Sequence, residues 1–141
     1  SAASDVYKRQ GMDGILGVEN FDTSLAEGLM LLTPFAADST DEKTQNFVKA
    51  YKDAYKDTPN QFAADAYDGV KILAKLIESQ KITGDMSASD ICEKLKAGIT
   101  AADFSYDGLT GTGMKWNANG EVSKSPKAVV IKDGNYAALD N

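Results

Sequence analysis

The sequence contains no histidine. That absence removes the commonest general base at neutral pH, the Ser-His and Cys-His nucleophile pairs, and the usual imidazole ligand of zinc and iron. An enzyme built from this chain would have to work with carboxylates, lysines or tyrosines alone. The single cysteine, Cys92, excludes an internal disulfide and leaves the redox compartment open. No uninterrupted apolar run approaches the roughly 18 residues of a membrane-spanning helix. Positive charge is in short supply: 15 Lys and Arg face 21 Asp and Glu, for a formal charge of −6. With no basic stripe on which a phosphate backbone could lie, nucleic acid is not an expected partner. What is present is an ordinary globular mixture, 43% hydrophobic and 26% charged over 141 residues, the length of one domain.

The first ten residues, SAASDVYKRQ, have no clear period and no apolar stretch that could serve as an export signal. They resemble translated sequencing-adapter read-through and are read as a non-native leader. Asp5, Lys8 and Arg9 contribute a net +1, so residues 11 to 141 carry −7.

From Gly11 onward the pattern is α/β. A short helical segment is expected around residues 13 to 19. Leu29-Met30-Leu31-Leu32, closed by Thr33-Pro34, reads as a strand buried on both faces, as in a parallel sheet. Ser39 and Glu42 offer a capping box for a helix carrying Phe47, Val48, Tyr51, Ala54 and Tyr55 at helical spacing. That helix should stop before Pro59. Asn60 can cap a second long helix, whose apolar stripe of Phe62, Ala63, Ala66, Tyr67, Val70, Leu73, Ala74 and Ile77 is the strongest periodic signal in the chain. A third helix opens near Ser87 or Ser89 and runs through Ile91, Leu95 and Ile99, with Cys92 read as a small buried hydrophobe beside them. Gly108, Gly111, Gly113 and Asn119-Gly120 mark turns around a strand at Met114-Lys115-Trp116. The chain ends in a hairpin, Ala128 to Ile131 and Tyr136 to Leu139, across Asp133-Gly134.

Constellations that imitate chemical sites fail in detail. Gly108-Leu109-Thr110-Gly111-Thr112-Gly113 has the glycines of a phosphate loop, but neither accepted order, and it precedes a strand rather than a helix. Asn117-Ala118-Asn119-Gly120 imitates a calcium loop whose first and twelfth positions would be Lys115 and Pro126; Asp85, Ser87 and Ser89 fail similarly, with no Gly at the sixth place and Lys96 at the twelfth. No metal and no cofactor is expected. Asp65 and Asp68, three apart on one helix, read as a solvated edge rather than as a catalytic carboxylate pair. Tyr51 and Tyr55 read as core rather than as a stacking platform.

Three stretches go further. Ala26-Glu27-Gly28 through Thr33-Pro34-Phe35, Pro59-Asn60-Gln61-Phe62-Ala63-Ala64-Asp65-Ala66-Tyr67-Asp68-Gly69-Val70, and the closing Gly108-Leu109-Thr110-Gly111, Met114 to Glu121 and Lys127 to Gly134 resemble, in order, signatures of the type I periplasmic binding proteins. The nearest branch is that of the branched-chain amino-acid substrate-binding proteins of ABC transporters. The resemblance implies an α/β, type I-like fold, present in part: portions of both Rossmann-like lobes, three amphipathic helices and a C-terminal β-hairpin. It implies residues 11–36 as the end of lobe 2 and a hinge, 37–125 as part of lobe 1, and 126–141 as a hairpin returning to lobe 2.

The function so implied is non-enzymatic. A small-molecule amino acid, branched-chain in class, binds in the interlobe cleft and is delivered to an ABC transporter permease. The place of action is periplasmic or extracellular, with lipid anchoring of the whole protein as an option and no membrane insertion by this part. A ligand-sensing receptor domain of the same fold is the alternative. Phe62 matches the aromatic that packs on the ligand's apolar side chain, although a core role competes. Gly11-Met12-Asp13 matches a Gly-aromatic-Asp element with Met12 in the aromatic place, which makes Met12 and Asp13 further candidates. The acid that would hold the ligand's ammonium falls at Gln10, inside the leader. Residues 11 to 141 alone are therefore expected to bind an amino acid weakly or not at all.

Overall fold

The computed structural model describes residues 10–11, 23–133 and 135–139. The short helix expected around residues 13 to 19 lies outside them, as do positions 1–9 of the leader. The elements are β1 (Gln10–Gly11), a 3-10 turn (Thr23–Ala26), β2 (Met30–Thr33), α1 (Glu42–Tyr55), α2 (Gln61–Ser79), α3 (Ala88–Ile99), β3 (Lys127–Lys132) and β4 (Asn135–Ala138). The strands form one sheet in the order β1-β2-β3-β4. β1 pairs parallel with β2, so Gln10 takes part in the sheet opposite Met30; β2–β3 and β3–β4 are antiparallel. The chain divides into two compact units, residues 1–64 with 126–141, and residues 65–125.

In the first unit, the core is Leu31, Ala36, Val129 and Ile131, with Ala26 and Leu29 packed against it. The sequence suggests a β2 buried on both faces, but the strand alternates: Leu31 and Thr33 are buried while Leu32 is exposed. One covered face is what a mostly antiparallel sheet requires. Gly28 brings the chain into β2 at φ +76°, a left-handed conformation costly for any residue with a Cβ. Its N–H donates to Ile131 O at 2.8 Å, so the Ala-Glu-Gly stretch locks the strand entry onto β3. The terminal hairpin forms as the Asp-Gly signal indicates, with Lys132 opposite Asn135 and Asp133 at φ 51°.

α1 is capped not by Ser39 but by Asp41, whose carboxylate accepts the Thr44 N–H at 2.9 Å. Ser39 instead donates its hydroxyl to Asp41 at 2.7 Å. Partial burial opposes ionisation of Asp41. The bonds from Thr44 and Ser39 and the charge of Lys127 outweigh it and hold the pKa down at about 2. Because the folded value lies below the unfolded one, this cap stabilises fully above about pH 4 and is lost as pH falls through about 2. Asp41→Ala is expected to cost about 1 kcal/mol at pH 7. The gap between wild type and variant should close between about pH 4 and pH 2 in urea melts followed by circular dichroism.

The α1 stripe is less buried than its spacing suggests. Val48 is in the core, but Tyr55 is 69% exposed. The rings of Phe35, Phe47, Tyr51 and Tyr55 form a row at centroid spacings of 5.9, 6.0 and 4.7 Å that runs from core to solvent.

In α2 the expected inward stripe is the outer one. Ala64, Asp68, Ile72 and Leu76 are buried, whereas Phe62, Tyr67, Val70, Leu73 and Ile77 are exposed. The helix is apolar on two sides, and periodicity alone does not say which side has a partner. In the second unit, Ser87 caps α3 through the Asp90 N–H at 3.1 Å. Cys92 is exposed, against the expectation of a buried thiol. The predicted Met114–Trp116 strand is reduced to two isolated bridges, Tyr106 to Met114 and Trp116 to Val122.

Candidate functional site

Two of the signature stretches meet in the first unit. β2 ends at Thr33, which is 1% exposed, and Pro34 turns the chain away. The Thr33 hydroxyl oxygen accepts the Phe35 N–H at 3.2 Å. It lies 2.9 Å from both the Phe35 carbonyl and Gln61 Oε1, so its single proton serves one or the other. Gln61, at the first position of α2, is itself buried. The Thr-Pro-Phe turn and the start of α2, 28 residues apart in sequence, are thus tied by one buried polar contact. Asn60 completes the junction by accepting the Ala63 N–H at 3.1 Å, the cap expected from sequence.

This arrangement decides where Phe62 points. With Gln61 anchored inward, the next side chain turns outward, and Phe62 stands 52% exposed on the first turn of α2. A buried core role for Phe62 is therefore not observed. A half-exposed ring fixed on a rigid helix start can pack on an apolar group, and it brings no acid, base or nucleophile to that contact. Met12 and Asp13 lie outside the described residues. From sequence Thr33 reads only as part of the strand's close and the hinge, and Gln61 has no role of its own; the signal for their contact is a polar residue closing an apolar strand and another just behind a helix cap.

The Gly108-Leu109-Thr110-Gly111 part of the third signature is explained within the second unit. The Asp68 carboxylate, on α2 and 3% exposed, accepts the Leu109 and Thr110 N–H groups at 2.9 Å each and the Thr110 hydroxyl at 2.8 Å. The expectation that Asp65 and Asp68 form a solvated edge fails for Asp68. A carboxylate receiving three donors is sheltered at far lower cost than a bare buried charge. Gly108 has no side chain because the carboxylate is already there: a Cβ would fall 2.6 Å from Asp68 Cγ. Burial, then the Asp68 charge, then Tyr67 push the nearby Tyr106 phenol above its ordinary pKa. Asp65 turns the other way and pairs with Lys124 at 2.6 Å. The two acids therefore do separate jobs, anchoring and surface pairing, and do not share a site.

A shallow depression of about 370 Å³ lies over Lys115, Trp116, Asn117, Glu121, Val122 and Ser123. Its polar groups are occupied in building the turn: Asn117 donates to Glu121 at 2.6 Å, and Ser123 accepts the Lys115 N–H at 3.1 Å. Among the described residues, no cluster of three or more acidic, Cys or His side chains could hold a metal ion, and no helix is long and apolar enough to cross a membrane.

Comparison with known proteins places this geometry. The periplasmic binding protein family profile matches residues 17–135. No curated protein matches the sequence. Among solved structures, the chain is similar to the branched-chain amino acid transporter substrate binding protein LivJ of Streptococcus pneumoniae, solved with isoleucine. That match has 22% identity and a TM-score of 0.73, and covers 97% of this chain and 38% of that one. It is similar to the leucine binding protein LivK of Thermotoga maritima at 22% identity and TM-score 0.65, covering 93% and 36%. It is also similar to an ABC transporter solute binding protein of R. palustris in complex with benzoate, at 22% identity and TM-score 0.64, covering 81% and 29%. The chain thus spans about a third of the length of these relatives, whose fold is the type I-like α/β arrangement. They are binding proteins of transporters, not enzymes. With the profile match covering most of its length, the chain belongs to the periplasmic binding protein family.

Proposed function

We propose that the chain is part of an extracytoplasmic solute-binding protein that holds an amino acid, branched-chain in class, between two lobes and presents it to an ABC transporter permease. The observation that carries this reading is the Thr33–Gln61 junction, which turns the Phe62 ring outward on the first turn of α2. An apolar ring suits an apolar side chain or ring on the ligand. Two of the compared relatives are named for branched-chain amino acids and one was solved with benzoate, all with apolar groups of similar bulk. On this reading residues 11–36 finish one lobe and cross a hinge, 37–125 belong to the other, and 126–141 return. Met12 and Asp13 would lie near the ligand, and closure rather than chemistry is the working step.

Calorimetric titration of leucine, isoleucine, valine and benzoate tests it, on the product of the whole gene and on residues 11–141 alone. The whole product is expected to bind one branched-chain amino acid at micromolar concentration and the short chain none. Benzoate binding without amino-acid binding would move the ligand class to aromatic acids. Absence of binding by the whole product would overturn the reading, and micromolar binding by the short chain would overturn the division of the cleft.

A further inference from the structure

β4 is the last strand in the sheet order, and among the described residues no strand pairs with its outer side. The register sets Val129 opposite Ala138 and Ile131 opposite Tyr136, while Leu139 N–H donates to Ala128 O at 3.0 Å. In an antiparallel ladder successive residues alternate between facing the partner and facing away. The backbone groups of Asn135, Ala137 and Leu139 therefore turn to β3, and those of Tyr136 and Ala138 turn to the open edge. The strand's own residues, Asn135, Tyr136, Ala137 and Ala138, include no charge and no proline, the usual deterrents to strand addition. An antiparallel edge of this kind is self-complementary, because β4 can lie beside β4 of a second copy about a twofold axis.

One group stands in the way. The Asp38 carboxylate, in the segment between β2 and α1, accepts the outward Ala138 N–H at 2.8 Å across 100 residues of sequence. At the other end of the strand, Glu27 accepts the Asp133 N–H at 3.1 Å, so two carboxylates from the early part of the chain hold the late hairpin. The Asp38 bond is the one on the free edge. It satisfies an outward donor with a charge-assisted bond, and it sets a negative charge where an incoming strand would have to place a carbonyl oxygen.

We propose that Asp38 is an edge guard, closing β4 against the β4 strand of a second copy of this chain. The guard acts at the backbone and is independent of any ligand.

Sedimentation of the 141-residue chain over a dilution series tests the proposal, with D38A, D38N and D38A/A138P compared with wild type. D38A is expected to self-associate at least tenfold more tightly than wild type. D38N, which keeps an oxygen acceptor but no charge, should fall between the two. D38A/A138P should return to the wild-type value, because proline removes the outward N–H and that N–H is not part of the β3 ladder. Association through unfolded chains would survive the proline, so persistence of tight association in the double variant would overturn the proposal. D38A sedimenting as wild type does would overturn it equally.

Discussion

Asp68→Ala is expected to lower stability by about 3 kcal/mol, the largest loss for any single side chain outside the apolar core. The substitution removes three bonds to a charged acceptor and leaves the Leu109 and Thr110 N–H groups buried without it. Bonds to charged groups are each worth about 1.5–3 kcal/mol, and an abandoned buried donor costs about 1–3 kcal/mol. These terms overlap, because the loop relaxes and water enters the space, so the total falls well below their sum. Asp68→Asn should be nearly as damaging: one carboxylate oxygen becomes an amide that meets an N–H or hydroxyl donor with a donor of its own. Gly108→Ala attacks the same contact from the other side by forcing a methyl against the carboxylate. Asp65→Ala is the control. Its pair with Lys124 is partly solvated and worth less than about 1 kcal/mol. Urea titrations followed by far-ultraviolet circular dichroism read the order directly. If Asp68→Ala shifts the midpoint no further than Asp65→Ala, the Asp68 anchor does not hold the Gly-Leu-Thr-Gly loop.

That anchor marks the limit of what the sequence shows. Local chemistry was legible: Asn60 and Ser87 cap their helices because a cap needs only a side chain and an N–H three residues on. The terminal hairpin was legible for another local reason, the positive φ its turn demands at Asp133. Even the missed capping box erred by one choice among neighbours, Asp41 winning over Ser39 because the carboxylate is the stronger acceptor and Ser39 can donate to it. Burial was not legible, because it depends on what lies opposite. Asp68 looks like any surface acid until the loop 41 residues away folds onto it. Val70 and Leu73 look like core until the partnered side proves to be that of Ile72 and Leu76. Cys92 looks buried by company rather than by contact. In the candidate site the sequence pointed to Phe62, while the residues that aim it, Thr33 and Gln61, act through a contact between distant segments that no single window of sequence contains.

Phe62→Ala separates binding from folding. The ring is half exposed, so its removal should change the stability of this chain by less than about 1 kcal/mol, as for surface positions generally. On the proposed reading the same ring is covered when ligand binds in the product of the whole gene. Burying about 80–100 Å² of apolar ring and ligand surface is worth about 2–2.5 kcal/mol at 25 cal/mol per Å². Affinity for the branched-chain ligand should therefore fall about 30- to 60-fold, at 1.4 kcal/mol per tenfold. Phe62→Leu, which keeps an apolar surface of smaller area, should lose less than tenfold. Thr33→Val adds a different readout: it breaks the tie to Gln61 without touching Phe62, so it should weaken both stability and binding, whereas Phe62→Ala weakens binding alone. Calorimetry with leucine or isoleucine, paired with urea melts of the same variants, checks both halves. A Phe62→Ala protein that binds as wild type does would remove the ring from the ligand's surroundings; one that unfolds would return Phe62 to the core.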